Sequence, residues 1–140
     1  MTLGAVLLAA CSTTGAFYPI AGPLAAAGRT APVAVELSGL EGRDGNLSLT
    51  LPDGETFEGV WTVIPFEDGI AQWGPLMSQY GMVPGSGLSL GAKSGRNRGQ
   101  AYLVGTRGNT MDVEFTSETL PPDGVGIARD SRGNVYRIVF

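Results

Sequence analysis

The feature that most constrains the fold is an alternation of apolar and polar residues that recurs along most of the chain. A period of two residues is typical of β-strands that bury one face. Turns rich in Gly, Pro, Asp and Asn separate the runs, as at Pro52-Asp53-Gly54-Glu55. The pattern predicts an all-β fold of seven or eight short antiparallel strands, arranged as a small barrel or a sandwich. The alternating runs span residues 33–37, 47–51, 56–63, 111–115 and 135–140.

A short motif recurs at the predicted strand starts. Arg-Gly followed by Gln or Asn occurs at Arg98, Arg107 and Arg132. Gly-Asn suits a two-residue hairpin turn, because both residues accept a positive φ. We interpret the repeat as one kind of turn used several times, and not as a duplicated module.

The chain begins with a short apolar run, Leu3 to Ala10. This run is too short to cross a bilayer as a helix, which takes about 20 residues. It fits the hydrophobic region of a signal peptide, in which small residues precede the cleavage point. We expect residues 1–10 to be a signal segment. Its n-region is lacking or truncated, because no Lys or Arg precedes the run.

The end of this run, Leu8-Ala9-Ala10-Cys11, resembles a bacterial lipobox. The resemblance implies that Cys11, the one cysteine of the chain, is acylated and anchors the mature protein to a membrane. Ser12 in the next position implies an outer-membrane location facing the periplasm if the cell is Gram-negative. The alternative is an ordinary buried cysteine at the end of a short helix.

The rest of the chain resembles small, uncharacterised bacterial lipoprotein families, from Phe17-Tyr18-Pro19 to the closing stretch 130–136. These motifs are structural and imply no activity. Residues 11–31 contain several Gly and Pro and no acid, so we expect a lipid-anchored tether. The exception is Phe17–Ile20, which is too apolar for a free linker and is interpreted as a segment that docks on the domain at an edge. Pro19 and Pro23 should exclude it from any central strand. Residues 32–140 are then the single β domain.

One long segment, Ile64 to Gly87, interrupts the alternation with repeated Gly and Pro. Segments of this length without regular structure are often functional. We consider two interpretations: a cap that plugs one end of the β core, or a binding loop at the mouth of a barrel. In the second case the ligand or partner contacts would include Trp61, Trp73 and Tyr80.

The basic residues Lys93, Arg96 and Arg98 lie close together in the sequence. They are interpreted either as a solvated loop tip or as a cationic nest for phosphate or an acidic glycan. Asp112 and Glu114 share one face of a strand, where acids usually face solvent; the alternatives are a Ca²⁺ site or an acid–base pair.

The composition excludes several functions. The chain has no His, which removes Ser-His-Asp and Cys-His catalysis and His-containing zinc sites. The segment Gly87 to Ser94 lacks the glycine spacing of a phosphate-binding loop. A net charge of −4 and a pI near 4.6 disfavour nucleic acid as a partner. We therefore expect no catalytic residues, no metal and no cofactor.

These observations lead to three ordered hypotheses. The first is a lipid-anchored envelope lipoprotein with a non-enzymatic β domain that acts in structure or in binding an envelope partner. The second is a module that binds a small molecule or a glycan through the 64–87 loop. The third is an enzyme based on carboxylates.

Overall fold

The computed structural model describes residues 12–39, 44–65, 76, 79, 97–117 and 124–140. They form eight antiparallel strands in a closed barrel, in which each strand pairs with its neighbours in sequence and the last pairs with the first. The strands are β1 Ser12–Ala21, β2 Val33–Ser38, β3 Asp44–Thr50, β4 Thr56–Pro65, β5 Asn97–Gly105, β6 Thr110–Ser117, β7 Val125–Asp130 and β8 Val135–Val139. One short helix, α1 Pro23–Ala26, follows β1. The all-β prediction is confirmed, and the arrangement is a barrel.

The interior of the barrel is filled by the apolar residues of the alternating pattern. Its largest fully buried side chains are aromatic and come from four different strands: Phe17, Phe57, Trp61, Phe115 and Tyr136. Aliphatic residues such as Leu37, Leu47 and Leu103 fill the space between them. An eight-stranded barrel has an interior just wide enough for side chains to fill, which matches this core.

Glycines on the inner face make room for the larger rings. Gly45 pairs with Trp61, and Gly99 pairs with Phe115. A Cβ at Gly99 would collide with the Phe115 ring. A ring lying over a glycine of the neighbouring strand protects the exposed backbone and permits the sharp coiling that barrel closure needs.

The two ends of the barrel differ. At the hairpin end, three tight turns over 51–55, 105–109 and 130–134 lie together with α1. At the opposite, N-terminal end, β1 begins at Ser12, which pairs with Ser38. There the indole N–H of Trp61 donates a 3.1 Å hydrogen bond to the Ser38 carbonyl.

The three hairpin turns share one geometry, which differs from the two-residue turn predicted from the sequence. In the first, Gly54 N–H and Leu51 N–H make 2.9 Å hydrogen bonds to the carbonyls of Leu51 and Glu55, closing a three-residue loop. Gly54, Gly108 and Gly133 have φ near 90°, 85° and 90°, so glycine alone takes the left-handed position. The residue after each glycine immediately precedes the next strand and directs its side chain to the network described below. These residues are Glu55, Asn109 and Asn134. Arg98 lies within β5 and does not open a turn.

The prediction of a tether over 11–31 is wrong for its first half. β1 closes the barrel by pairing with β2 over Ser12–Phe17 and with β8 over Ala16–Ala21. Phe17 is fully buried. Pro19 is tolerated because the β2 pairing has ended before it, and because the β8 register shifts between Pro19 and Ala21.

The segment predicted to plug an end of the core is described at Leu76 and Gln79 only. Leu76 is buried, and its N–H donates a 3.1 Å hydrogen bond to Glu114 Oε1. Glu114 alternates with the inward Val113 and Phe115, so its side chain is on the outside of the barrel. At Leu76, the segment therefore lies against the outer face of β6. No helix among the described residues is long and apolar enough to cross a membrane.

Candidate functional site

The most elaborate polar arrangement in the described part of the chain lies at the hairpin end. We call it the hairpin-end cluster. It brings together side chains from all three turns and the strands beside them. Its members are Asp53, Glu55, Arg107, Asn109, Asp130, Arg132, Asn134 and Tyr136.

Glu55 is the central acceptor of the cluster, and its side chain is fully buried. Oε1 accepts hydrogen bonds from the Asn109 amide at 2.8 Å and from Arg132 Nη2 at 2.8 Å. Oε2 accepts the backbone N–H of Arg107 at 2.9 Å. The carboxylate of the first turn is thus held by groups from the other two turns, which satisfies its charge without solvent.

Asp53 forms the outer part of the same ion-pair network. Its Oδ1 accepts the Glu55 N–H at 2.9 Å, and its Oδ2 pairs with Arg132 Nη1. Arg107 Nη2 donates a 2.9 Å hydrogen bond to the Asp53 carbonyl. The planar Arg132 guanidinium therefore bridges two carboxylates, a geometry that a lysine ammonium does not reproduce.

Asp130 organises the third turn and the packing of α1. Its Oδ1 accepts the N–H groups of Arg132 and Asn134, each at 3.0 Å. Its Oδ2 accepts the Asn134 side-chain amide at 2.9 Å and the Tyr136 hydroxyl at 2.8 Å. Asn134 Oδ1 in turn accepts the Leu24 N–H at 2.8 Å, which attaches α1 to this end of the barrel.

The two carboxyl groups of the first turn have lowered pKa values. Burial by itself raises the pKa of Glu55, but hydrogen bonds from Asn109 and Arg107 and the charge of Arg132 outweigh it and give a net lowering. The hydrogen bond from Arg132 is the main cause of the lowered pKa of Asp53. The same Asp53 contact raises the pKa of Arg132. All three groups are therefore charged at neutral pH.

Tyr136 has the opposite kind of shift. Its hydroxyl is inside the barrel, and burial raises its pKa far above the usual value of 10.0. The hydrogen bond to the Asp130 carboxylate and the charge of that group raise the pKa further. Tyr136 is thus a fixed donor, not a proton-transfer group at neutral pH.

The cluster is suited to fastening the hairpin end. Each of its carboxylates accepts hydrogen bonds from other turns or strands, and the Asp130 and Glu55 carboxyls lie away from solvent. What it presents to solvent is mainly the Arg107 side chain, which is 54% exposed. The sequence carried a signal for this cluster in the repeated Arg-Gly-Asn motif, which we read as turn chemistry alone. The convergence of three turns at one barrel end depends on register, which the motif does not specify.

The contact residues predicted from the sequence are not brought together by the described structure. The hypothesis that Trp61 contacts a ligand is wrong, because its side chain is fully buried in the core and its N–H is bonded to Ser38. Arg98 lies on the outer face of β5 and donates a 3.1 Å hydrogen bond to Gln100 Oε1. Cys11, Trp73, Tyr80, Lys93 and Arg96 lie outside the described residues.

The strand acids Asp112 and Glu114 do share the outer face of β6, but their surroundings differ. Asp112 is exposed, whereas Glu114 is 6% exposed and accepts the Leu76 N–H. Across the ranges that the structure describes, no group of three or more His, Cys, Asp and Glu residues is placed to hold a metal ion. Comparison of the chain with protein-family models, with curated proteins and with solved structures finds no match.

Proposed function

We propose that this chain is a lipid-anchored lipoprotein of the bacterial cell envelope, in which a non-enzymatic β-barrel acts in structure or in binding a partner. The main support for this proposal is the position of the lipobox-like stretch relative to the first strand of the barrel. The lipobox-like stretch ends at Cys11, and β1 begins at the next residue, Ser12. An acyl group on Cys11 would be attached directly to a strand that pairs on both sides.

This attachment gives the barrel a defined orientation on the membrane. The N-terminal end would face the bilayer, because Ser12 lies there. The 10 residues of β1, at about 3.3 Å each and tilted by about 40°, would hold the hairpin end about 25 Å farther out. In a Gram-negative cell this end would point into the periplasm from the outer membrane. Arg107 and the hairpin-end cluster would then be the surface most accessible to an envelope protein.

The non-enzymatic assignment is supported by the chemistry available in the chain. With no His, a serine or cysteine nucleophile would lack the usual base. The carboxylates with shifted pKa values, Asp53 and Glu55, are engaged in ion pairs between hairpins. Structural ion-pair networks shift pKa values without catalysis. The overall negative charge supports a partner other than nucleic acid.

The test of the anchor is the fractionation of the full chain in a bacterial host with its envelope intact. Wild-type protein should be found in the membrane pellet, and mass spectrometry of its N-terminal peptide should show acyl groups on Cys11. Cys11→Ser should move the protein to the soluble fraction. Ser12→Ala, one residue away, is the matched control and should stay in the pellet. A Cys11→Ser protein that pellets like wild type would refute the anchor.

A further inference from the structure

Among the described residues, three of the four exposed large apolar side chains lie on one part of the outer face of the barrel, and the fourth, Val139, is on β8. Val60, Tyr102 and Val104 are 57%, 56% and 55% exposed. Val60 and Tyr102 are direct neighbours in the β4–β5 register, and Val104 follows on the same face of β5. Single exposed apolar residues need no explanation, whereas a contiguous apolar group is a candidate for an interaction surface.

Val60 and Tyr102 belong to two rows of outward-facing side chains that cross strands β4, β5 and β6, and the other members of these rows are polar. The first row runs from Val60 through Tyr102 to Asp112, and the second runs through Thr62, Gln100 and Glu114. Together the two rows line a shallow groove of about 430 Å³. The groove is therefore built on the registered strands β4, β5 and β6, and not on a loop.

The charges of the groove narrow the class of ligand. Asp112 is the exposed carboxylate of the groove, and in the β6–β7 register it is directly opposite the exposed Arg129. The two opposite charges balance, which favours a ligand without net charge over phosphates and acidic ligands. The nearest guanidinium on the same face of β5, that of Arg98, already donates to Gln100. The second carboxylate, Glu114, is buried and accepts the Leu76 N–H. The groups that the groove offers to a ligand are therefore the Asp112 carboxylate, the Gln100 amide and the Thr62 hydroxyl, which lie beside the aromatic ring of Tyr102.

This combination fits a ligand that has an apolar face and a rim of hydroxyls. The C–H face of a pyranose ring packs on a tyrosine ring. Its hydroxyls donate to the Asp112 carboxylate and accept from the amide N–H groups of Gln100, whose oxygen is bonded to Arg98. Strands hold these groups in place before binding, which lowers the entropy cost of recognition. We infer that the outer face of β4–β6 binds a neutral saccharide chain, with Tyr102 as the stacking platform and Asp112, Gln100 and Thr62 as hydroxyl partners.

The inference does not depend on acylation of Cys11, because the groove belongs to the barrel. It is tested on the full chain, isotopically labelled and purified in a detergent without a sugar headgroup. The probes are neutral tetrasaccharides of N-acetylglucosamine and of glucose. Amide shifts on titration should map to the groove-lining parts of β4, β5 and β6, within 58–64, 98–104 and 110–116.

Variants then separate stacking from other causes. Tyr102→Ala should weaken binding about tenfold or more, as for an aromatic anchor, while Tyr102→Phe should retain it within about threefold. The matched control is Tyr18→Ala, the same change on the β1 outer face, where Tyr18 packs against Arg137; it should leave binding unchanged. Asp112→Ala should also weaken binding and provides a second, independent variant.

Several results would overturn the inference. One is the absence of amide shifts with either tetrasaccharide, and another is a set of shifts that map elsewhere on the barrel. A third is unchanged affinity in Tyr102→Ala. A fourth is binding of a lysine tetrapeptide in place of the saccharides, abolished by Asp112→Asn, which would make the groove a cation site formed by an aromatic ring and a carboxylate.

Discussion

Gly45 on β3 lies directly opposite Trp61 on β4, and a Cβ added at Gly45 would lie 2.8 Å from both Cε2 and Nε1 of the indole. It would also collide with the Ser38 carbonyl, the acceptor of the indole N–H. The absence of a side chain at position 45 is therefore what allows the largest core residue to lie at the N-terminal end with its polar atom bonded.

The first prediction follows from this pair. Gly45→Ala should destabilise the barrel by about 1–3 kcal/mol, the range for overpacking a core, because the added methyl displaces the indole or the β2 backbone. The free energy of unfolding should be measured by denaturant titration, with tryptophan fluorescence and circular dichroism followed together.

The control for this prediction is Gly108→Asn. A Cβ at Gly108 meets nothing within 4 Å, and Asn tolerates the positive φ at this position better than other side chains do. This variant should cost far less than Gly45→Ala. Equal stability of Gly45→Ala and wild type would mean that the Trp61 packing is not as described.

A second prediction concerns the hydroxyl inside the hairpin end. Tyr136→Phe removes the 2.8 Å hydrogen bond to Asp130 and leaves a buried carboxylate with one donor fewer. Hydrogen bonds to charged groups contribute about 1.5–3 kcal/mol, so the free energy of unfolding should fall by about that amount at neutral pH.

Tyr136 should also affect how the free energy of unfolding changes at alkaline pH. Its folded-state pKa is raised above the unfolded value of about 10.0. The folded protein therefore holds this proton where the unfolded chain has lost it, and stability should decline as pH rises past 10. The decline should be shallower in Tyr136→Phe. An identical alkaline slope in the two proteins would contradict the assignment.

The third prediction concerns acid. The pKa values of Asp53 and Glu55 are lowered from 3.8 and 4.5, so their contribution to stability is present above those values and is lost as pH falls through the folded-state pKa values. The denaturant concentration at the unfolding midpoint of wild type should therefore decrease when the pH is lowered below about 4.5. Glu55→Gln should be less stable at pH 7 and should lose part of this acid dependence.

The matched control in this case is Glu58→Gln, three residues along the chain on the exposed outer face of β4. It should keep both the stability at pH 7 and the acid slope of wild type. If Glu55→Gln and Glu58→Gln behave alike, the ion pair between Glu55 and Arg132 does not link the hairpins energetically.

Alternation in the sequence was enough to predict much of the fold. Burial at every second position was correctly read for Val33, Val35 and Leu37 and for Met111, Val113 and Phe115, because one face of each strand packs in the barrel. Glycines at inner positions, such as Gly45 and Gly99, carry no apolar signal, so the pattern did not show which rings they accommodate.

Candidate sites were harder to predict, because they depend on which strands become neighbours. The groove on the outer face needs Val60, Tyr102 and Asp112 to be in register across three strands separated by long stretches of sequence. The hairpin-end cluster needs Asp53 and Arg132, 79 positions apart, to meet. The alternation of residues 56–63 predicts that Trp61 faces inward, and it is fully buried there. Its role as a ligand contact depended instead on a binding loop at the mouth of the barrel.

The final prediction tests β1, the strand that lies within the segment predicted from the sequence to be a tether. Phe17 and Tyr18 are adjacent in β1 and face opposite sides of the barrel: Phe17 is fully buried against Tyr136, and Tyr18 packs on Arg137 outside. Phe17→Ala should cost about 3–5 kcal/mol, as for a buried aromatic. Tyr18→Ala should cost about 1–2 kcal/mol, as for a half-buried cation–π pair on the outer face. Both are read by denaturant titration of the full chain. A flexible tether would tolerate both changes equally, so two small and similar values would mean that β1 does not close the barrel.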